Sequence, residues 1–487
     1  MNITFNRALS VSFIGKIVAQ IQIAVFGLAA ASLLSKQDFG LFQQLLSFSL
    51  IAMAIARLGF DIIAQLEISK QSGIAAIDLL SRDLIKIKII GSLVVFPVFV
   101  VLIQFFSSSN IGSQDTLLLA IYTFLLAINR YVSDAVMVYS LRIIRSIIVN
   151  NALACSKLCA ILYLIFTDLN SIQPIIWTLL FVEMVCFFYL ILFYSILRKD
   201  VLSLNFQWFT QENIKSAWHQ YSDVLLSTMV SMAGGVLVLS FFQDLELLAS
   251  YTFIMAVVLG IFSGGSLSSM LEPIMNTLLL RRLNQNSYDF EQAEIDQMIA
   301  AWCSLAFITN LFIGLCLFIF MGSINEHFLD YKYSSEVPKI FMTYIGLSTF
   351  CWTYQYSSWA LLNKRLDILR NISLISGVAH YLFILLFTYF YGINGALCSL
   401  ILSHGIKCYL IHNYLGKPTF LINALKITLG QTWKVLLILI LMVLSLLYVN
   451  SDYKYIIHFV TITASALMTF SVYKAYNEIY FYKLKTQ

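Results

Sequence analysis

The chain has 487 residues, of which 60% are hydrophobic and 11% are charged, and its mean hydropathy is +0.84. This excludes an ordinary soluble domain, which is about 45–50% apolar and about 25% charged. The net charge of +5 does not indicate nucleic-acid binding, because the basic residues fall between apolar segments and form no patch interleaved with aromatic residues. A polytopic, all-helical membrane protein is the class that remains.

Apolar segments long enough to cross a hydrocarbon core of about 30 Å recur along nearly the whole chain. The first has Arg7 ahead of it and contains Lys16, Gln20 and Gln22, so we interpret it as a retained span rather than a signal peptide. We predict about fourteen spans, at 8–34, 40–66, 84–106, 116–138, 147–167, 172–197, 219–241, 247–271, 298–321, 338–362, 371–390, 393–412, 433–449 and 455–473.

The distribution of basic residues predicts the orientation. With the N-terminus inside, the outward loops hold few of the 30 lysine and arginine residues, namely Lys36, Lys332, Lys339 and Lys454. The positive-inside rule then places both termini in the cytoplasm. The eight cysteines have neither CxxC nor Cys/His ligand spacing, so we expect no disulfide, no metal and no cofactor.

The loop lengths indicate an internal repeat. The outward loops of the first six spans are short, longer and short, and those of the next six follow the same order. Asp38–Phe42 opens the second span, and the similar segment Leu247–Tyr251 opens the eighth. Two copies of six spans enter the membrane in the same orientation, so they predict two parallel lobes with a cleft between them. The expected division is 1–197 as the N-lobe, 198–218 as a cytoplasmic connector, 219–412 as the C-lobe, and 413–487 as spans 13 and 14 with a cytoplasmic tail.

Three short segments carry a resemblance to a known family, namely Leu34–Phe42, Leu58-Gly59-Phe60-Asp61 and Tyr391–Ala396. With the span layout, they resemble the Wzx-type polysaccharide flippases of the multidrug/oligosaccharidyl-lipid/polysaccharide exporter superfamily. The resemblance implies a V-shaped, MATE-like transporter in the bacterial plasma (inner) membrane. It would move undecaprenyl-diphosphate-linked oligosaccharides of the O-antigen or capsule type from the cytoplasmic to the outer leaflet.

Four basic residues lie inside predicted spans of the first lobe, namely Lys16, Arg57, Arg130 and Lys157. A basic residue at a helix centre costs about 2.5–3.5 kcal/mol on insertion scales, so we expect these four to line a cleft rather than face lipid. They are predicted at similar depth, about two to three turns from the cytoplasmic ends of their helices. Ammonium and guanidinium groups bind phosphate oxygens well, so the four predict a cationic cavity for the diphosphate of the substrate.

A structural interpretation of the same residues stays open. Arg57 with Asp61 and Arg130 with Asp134 are i,i+4 pairs that could neutralise each other on one helix face. Lys16 and Lys157 have no acidic residue within a turn on their own helices, so a structural role would require them to snorkel to the interface.

Carboxylates within the spans are candidates for binding a coupling ion, H⁺ or Na⁺, namely Asp61, Asp134, Glu183 and Asp223. Glu183 and Asp223 lack a basic neighbour on their own helices, and the alternative is that both are hydrated near an interface. Four glycines are candidate hinges for rocking of the lobes, namely Gly234, Gly235, Gly264 and Gly265. Close packing of helices in lipid is an equally good reason for glycine at these positions. Of the histidines, His380 and His404 are expected to be buried and hydrogen-bonded.

The predicted function is alternating access by such a flippase, with the polyprenyl tail left in lipid beside spans 13 and 14. Its partners would be membrane lipids, a coupling ion and, as a further candidate, the polysaccharide polymerase machinery, but no nucleic acid. A peptidoglycan-precursor flippase and a drug/cation antiporter are alternatives, and the antiporter predicts a cavity rich in carboxylates. A membrane polymerase or ligase would need a structured outward loop, for which loop 322–337 is short. We therefore expect no enzyme activity.

Overall fold

The computed structural model describes residues 5–57, 59–71, 73–106, 113–140, 142–167, 171–194, 210–242, 244–265, 321–348 and 365–414. Within these ranges every regular element is a helix. Predicted spans 13 and 14 lie outside the described residues, and span 9 does so except for its last residue.

Two groups of helices are separated by the segment 195–209. The first helix group (5–194) contains α1 (Phe5–Leu33), α2 (Lys36–Arg57), α3 (Phe60–Lys70), α4 (Ile74–Phe106), α5 (Ser113–Arg130), a π-helical turn (Tyr131–Val136), α6 (Met137–Tyr139), α7 (Ile143–Phe166) and α8 (Ile172–Tyr194). The second helix group (210–414) contains α9 (Gln211–Met229), α10 (Met232–Leu239), a 3₁₀ turn (Ser240–Phe242), α11 (Leu245–Gly265), α12 (Val337–Ser348) and α13 (Leu366–Tyr414).

The helices identify a multi-pass membrane protein. Among the described residues, 6 helices are long and apolar enough to cross a membrane, or 7 if the bent pair 211–228 and 232–242 is one span. Their side chains are apolar nearly all round, as expected where lipid replaces water as the solvent. The helices therefore confirm the predicted class of protein.

Two predicted spans are broken in the middle. Span 2, expected as one helix over 40–66, ends at Arg57 and restarts at Phe60, because Gly59 adopts a left-handed conformation with φ of 71°. Span 7 begins at Gln211 rather than at 219, and its two halves meet at an angle of 56° next to Ser231. Ser231 caps the second half, since its hydroxyl accepts a hydrogen bond from the Ala233 amide.

The two helix groups meet closely where α2 and α11 begin. Ser35 and Asp38 form a reciprocal cap at the start of α2, with a 2.7 Å bond from the Ser35 hydroxyl to the Asp38 carboxylate and a 3.1 Å bond from the Asp38 amide to that hydroxyl. A Cβ at Gly40 would stand only 2.5 Å from the Leu245 carbonyl oxygen and 3.2 Å from the Ala249 Cβ. Glycine is therefore needed at position 40 for this crossing.

A long helix pairing occurs within each of the two groups. In the first group α1 packs along α7, and in the second group α9 packs along α13. Between the groups, α1 contacts α11 while α2 contacts α10 and α11. Helix α13 covers predicted spans 11 and 12 and is interrupted at Gly392, which has φ of 55°.

Candidate functional site

A cavity of about 430 Å³ lies between the two helix groups. Its wall is built from α1, α2, α5, α7 and α8 on one side, and from α10, α11 and residues 321–324 on the other. The charged residues among the described residues that line it are Arg130 and Lys157. The polar ones are Gln43, Ser47, Tyr122 and Ser231, and the rest of the described wall is apolar.

Lys157 forms an ion pair with Glu183 at the cavity wall. The side chain of Lys157 is 14% exposed and lines the cavity, whereas that of Glu183 is 1% exposed and lies behind it. The ammonium also stands 5.9 Å from the centre of the Tyr122 ring. Lys157 therefore presents one face to the cavity and donates a hydrogen bond to a buried carboxylate with the other.

Asn129 holds Glu183 from the side opposite Lys157. Its amide nitrogen donates to the Glu183 carboxylate oxygen Oε2 at 2.6 Å and to the Glu183 backbone carbonyl at 2.9 Å. The amide oxygen Oδ1 of Asn129 is buried and has no hydrogen-bond partner among the described residues. A buried polar atom without a partner is costly, so this acceptor is poised to receive a donor.

The depth of Lys157 differs from the sequence-based expectation. Helix α7 begins at Ile143 rather than at 147, so Lys157 stands about 21 Å along the axis from the start of the helix. It is thus near the middle of α7, well beyond the two to three turns that we predicted. Glu183 is equally central in α8, so the alternative of a hydrated residue near an interface is wrong for Glu183.

Arg130 is the last residue of α5 before the π-helical turn. A π-helical turn adds one residue to the local repeat, which changes the helix face of every residue that follows. The pairing of Arg130 with Asp134, which their i,i+4 spacing predicts, stays a prediction. The side chain of Asp134 lies outside the described residues, whereas Arg130 lines the cavity.

The other two predicted cavity cations lie at positions whose side chains are outside the described residues. Lys16 belongs to α1, and Arg57 is the final residue of α2. Because Gly59 breaks the helix, Arg57 and Asp61 belong to different helices, and their i,i+4 spacing does not put them on one helix face. The side chain of Asp61 also lies outside the described residues.

Lys88 is a buried cation that the sequence analysis did not single out. It lies within α4, and its ammonium donates a 2.6 Å hydrogen bond to the carbonyl oxygen of Ala56, one residue before the end of α2. The same ammonium stands 4.8 Å from the centre of the Tyr131 ring at the start of the π-helical turn. Lys88 thereby stabilises the last turn of α2, where helical carbonyls lack an intrahelical partner.

Polar contacts between the two helix groups lie at one end of the cavity, which we call the Glu336 end. Lys36 contacts Glu336 at 3.0 Å, and the Ser250 hydroxyl donates to the same carboxylate at 2.6 Å. Lys332 donates to the last carbonyls of α1, at 2.9 Å to Ala31 and 2.6 Å to Leu34.

The charge state of Glu336 follows from these contacts. Burial alone would raise its pKa, but hydrogen bonds from Ser250, Ser335 and Lys36, together with the positive charge of Lys36, hold the pKa below its usual value. Glu336 is therefore ionised at neutral pH, and the contacts at this end depend on its negative charge.

Aromatic rings fill the space beneath the Glu336 contacts. The rings of Phe253 and Tyr333 stack with centroids 3.9 Å apart, and Phe39 stands edge-on to both, at 6.4 Å and 6.2 Å. All three side chains are buried. Phe39 and Phe253 also line the cavity, so the aromatic cluster forms its roof.

The opposite end has contacts of its own between the groups. The Asn213 side chain of α9 donates to the Glu67 carboxylate of α3, which also accepts from Lys70 at 2.7 Å. Gly59 lies directly against the backbone of Ala217, where a Cβ would collide with the Ala217 carbonyl. We call this the Glu67 end.

The remaining candidates lie in the second helix group. The Ser373 hydroxyl donates to Asp223, and Lys407 donates to the Ser227 hydroxyl at 3.0 Å. His380 lies 3.1 Å from the Ser403 hydroxyl. His404 Nδ1 donates to the Leu400 carbonyl oxygen at 3.0 Å, so both histidines are hydrogen-bonded.

The bend in the second group lies before the glycine pair that we predicted as a hinge. It falls at Val230–Ser231, whereas Gly234 and Gly235 are buried within α10. A Cβ at Gly235 would collide with the Tyr251 hydroxyl, so this glycine serves close packing against α11. Gly264 and Gly265 end α11, and their surroundings lie outside the described residues.

Sequence reasoning missed the partner of Lys157, although the chain contains a usable signal. Helices α7 and α8 are joined by the short segment 168–171, and Lys157 and Glu183 lie almost equally far from its midpoint. Antiparallel neighbours with a short connection bring such residues to the same level. An intramembrane lysine and glutamate placed symmetrically about a hairpin loop thus indicate an ion pair.

No protein-family model and no curated protein sequence matches the chain. Solved structures do match its fold. An outward-facing multidrug resistance transporter of the MATE family, in the MOP superfamily, aligns with a TM-score of 0.60 and 12% identity over 87% of this chain and 97% of that one. A MOP superfamily transporter from Pyrococcus furiosus, for which a binding pocket of reverse polarity is described, gives a TM-score of 0.60 and 12% identity over 87% and 96%.

A MATE protein in its straight conformation aligns equally well, with a TM-score of 0.60 and 12% identity over 86% of this chain and 97% of that one. The chain therefore has the fold of MATE transporters of the MOP superfamily. This confirms the fold class that the span layout predicted, and it defines the protein as one with a multi-pass transporter fold.

Proposed function

We propose that the protein is a flippase that moves undecaprenyl-diphosphate-linked oligosaccharides, of the O-antigen or capsule type, between the leaflets of the bacterial inner membrane. One observation carries the proposal: the charged residues on the described wall of the central cavity are the cations Arg130 and Lys157. Such a wall suits a substrate with an anionic phosphate group. A transporter of organic cations would instead need carboxylates there.

The two helix groups would act as the two lobes, with the segment between α8 and α9 as connector and 413–487 as an appended pair of spans. The equivalent pairings of α1 with α7 and of α9 with α13 support this division. So does the crossing of α2 and α11, where Gly40 meets Ala249, its counterpart in the repeat. Lobes related in this way rock about a shared central site in many transporters.

The Glu336 end would face the outside and the Glu67 end the cytoplasm, with both chain termini cytoplasmic. The basic residues on the predicted inner loops, among them Arg142 and Arg145, support this orientation. The contacts of Lys36 and Lys332 would then hold the outer side closed. When the cavity opens outward, the contacts of Lys36 and Lys332 would break and those of Glu67 and Gly59 would form. When it opens to the cytoplasm, the opposite would happen.

A drug exporter is the second candidate. Two observations favour it: most of the described cavity wall is apolar, including Met53, Met232 and Met321, and one of the aligned structures is a multidrug resistance transporter. Methionine side chains adapt to apolar ligands of different shape. The cationic groups at the wall favour an anionic or amphipathic compound over a cationic one.

Deletion of the gene tests these candidates. Lipid-linked oligosaccharide should accumulate in the cytoplasmic leaflet of the deletion strain, measured by protection of its sugars from an external glycosidase. The wild-type gene should restore transfer, and a gene with both Arg130→Ala and Lys157→Ala should not. Arg145→Ala is the control, since Arg145 is exposed and does not line the cavity, and it should restore transfer fully.

Full rescue by the double variant, at equal protein level, would contradict the proposed role of the cavity. Intact surface glycan together with a loss of resistance to amphipathic anions would support the exporter instead.

A further inference from the structure

We infer that an anion bound at Lys157 causes Glu183 to take up a proton, and that the Glu183–Asn129 pair stores this proton while the cavity is occupied. The inference rests on the proposed function, since it requires an anionic group in the cavity. It identifies H⁺ as the coupling ion and Glu183 as the residue that carries it.

The geometry places two anions in competition for one ammonium. Lys157 reaches the cavity with one face, and its partner Glu183 is buried behind it. A phosphate in the cavity that contacts Lys157 would stand beside the Glu183 carboxylate in a region of low dielectric constant. Two neighbouring negative charges there resolve their repulsion when one of them binds a proton. Glu183 is the group that can hold this proton.

The amide of Asn129 is the hydrogen-bond partner for the protonated Glu183 carboxyl group. Its nitrogen already donates to Glu183 Oε2 at 2.6 Å, while its oxygen Oδ1 is buried without a partner among the described residues. A protonated carboxyl group has one O–H donor beside its acceptor oxygen, so it can pair with an amide through two hydrogen bonds. Release of Lys157 from Oε1 frees that oxygen to carry the proton and to donate to Asn129 Oδ1.

The groups around Glu183 leave it as the site of protonation. From α7 it faces Lys157, and from α5 it faces Arg130 and Tyr122. On its own helix Cys186 is the nearest titratable neighbour. Of these, Lys157 and Arg130 are already protonated at neutral pH, and the thiol and phenol are neutral there. The carboxylate is the group among them that can accept a proton.

The proton balance is simple. In the empty cavity Glu183 is ionised and paired with Lys157. When the anion binds, one proton from the surrounding water joins Glu183 Oε1, and no other covalent bond changes. When the anion leaves, Lys157 reclaims the carboxylate and the proton returns to water. Anion and proton thus occupy the site together, in contrast to a carboxylate site that binds either a cation or a proton.

The test uses the purified full-length protein in lipid nanodiscs and geranyl diphosphate as the probe, at a pH where the probe is fully ionised. Calorimetric titrations in two buffers of different ionisation enthalpy give the number of protons taken up per probe bound. For the wild type we expect uptake approaching about one proton. Binding should also strengthen as the pH falls.

Two variants sharpen the test. Glu183→Gln carries an amide that mimics the protonated acid, so it should bind the probe about tenfold more tightly, without proton uptake. Asn129→Leu removes the acceptor Oδ1 and should reduce proton uptake by the wild-type carboxylate. Glu246→Gln, an exposed change at the start of α11, is the matched control and should leave affinity and proton uptake unchanged.

Binding of the probe without proton uptake by the wild type, or equal uptake by Glu183→Gln, would overturn the inference and leave the proposed function standing. Failure of the wild type to bind the probe more tightly than uncharged geraniol would instead overturn the proposed function itself.

Discussion

The ion pair of Lys157 and Glu183 lies in a part of the protein where each charge alone would be costly. Removal of two charges from water is offset only when their geometry is good and further hydrogen bonds are made. Here the Asn129 amide donates one such bond to the carboxylate and a second to the backbone carbonyl of Glu183. The two side chains should therefore behave as a unit in mutational experiments.

A double-mutant cycle measures this unit. Lys157→Met leaves the Glu183 carboxylate buried without its ammonium, so we expect a loss of about 3–5 kcal/mol in the free energy of unfolding in mixed micelles. The double variant Lys157→Met with Glu183→Gln should recover most of this loss. Arg365 and Asp367 are the control pair, since their side chains are 55% and 46% exposed and should couple by less than about 1 kcal/mol. Additive losses at 157 and 183 would contradict the pairing.

The chemistry of this site was predictable from the sequence only in part. Intramembrane Arg130 and Lys157 are conspicuous because charges are rare in apolar spans, and the structure puts both at the cavity. Their partners are harder to predict, since Lys157 and Glu183 belong to different helices and only packing brings them together. Lys88 gave no signal at all, because a lysine near the end of an apolar segment is normally read as an interfacial residue.

At the scale of the helices, hydropathy predicts where the chain crosses the membrane and misses where it bends. The spans of α5, α7 and α8 lie close to their predicted positions, whereas α4 ends where predicted but begins ten residues earlier, at Ile74. The breaks at Gly59 and Ser231 are absent from the hydropathy pattern, because they arise from backbone conformation and from capping rather than from composition. Gly59 belongs to the segment Leu58–Asp61, which carries part of the family resemblance. That resemblance did not predict a left-handed residue at this position.

Gly59 is a sharp test of the break between α2 and α3. Gly59→Ala adds a side chain to a left-handed residue that also lies against the Ala217 carbonyl, so we expect a loss of about 1–3 kcal/mol in the free energy of unfolding in mixed micelles. The control is Gly73→Ala, because a Cβ at Gly73 meets no atom within 4 Å. That change should stay within about 0.5 kcal/mol. Equal effects at the two glycines would show that the break at Gly59 is unimportant.

For the whole molecule, the Glu336 end is the feature that would separate the cavity from one side of the membrane in the proposed transport cycle. It joins the first helix group, through Lys36 and the end of α1, to the second group, through Ser250 and Glu336. These contacts are polar and few, whereas the surfaces beneath them are aromatic. A small change in charge should therefore shift the balance between closed and open forms.

The pH dependence of this closure has a definite sign. The lowered pKa of Glu336 means that its ionised form stabilises the closed end at neutral pH, and that this stabilisation is lost as the pH falls through that pKa, below the usual 4.5. We expect a membrane-impermeant maleimide to label Ser47→Cys, in a background without native cysteines, more slowly than an exposed reference cysteine at neutral pH. The ratio of the two rates should rise in acid, and the ratio removes the fall in thiolate content that slows both reactions. Ser47 lies on the cavity wall and is buried.

Glu336→Gln should be labelled rapidly already at neutral pH, since its amide cannot replace the charge that Lys36 contacts. Glu326→Gln, in the same loop and exposed, should behave as the wild type. Identical labelling rates for the wild type and Glu336→Gln at all pH values would exclude Glu336 as the closing contact.

The pairing of Lys157 with Glu183 also bears on how the membrane voltage would act on the proposed rocking motion. A charge that moves through the full membrane field gains or loses about 2.3 kcal/mol for each 100 mV. Lys157 and Glu183 lie on neighbouring helices of one group, so in the proposed rocking motion they travel together and their charges cancel. The voltage across the membrane then exerts no net force on this pair, and in the proposed motion the pair would add no electrical work to the return of the empty protein.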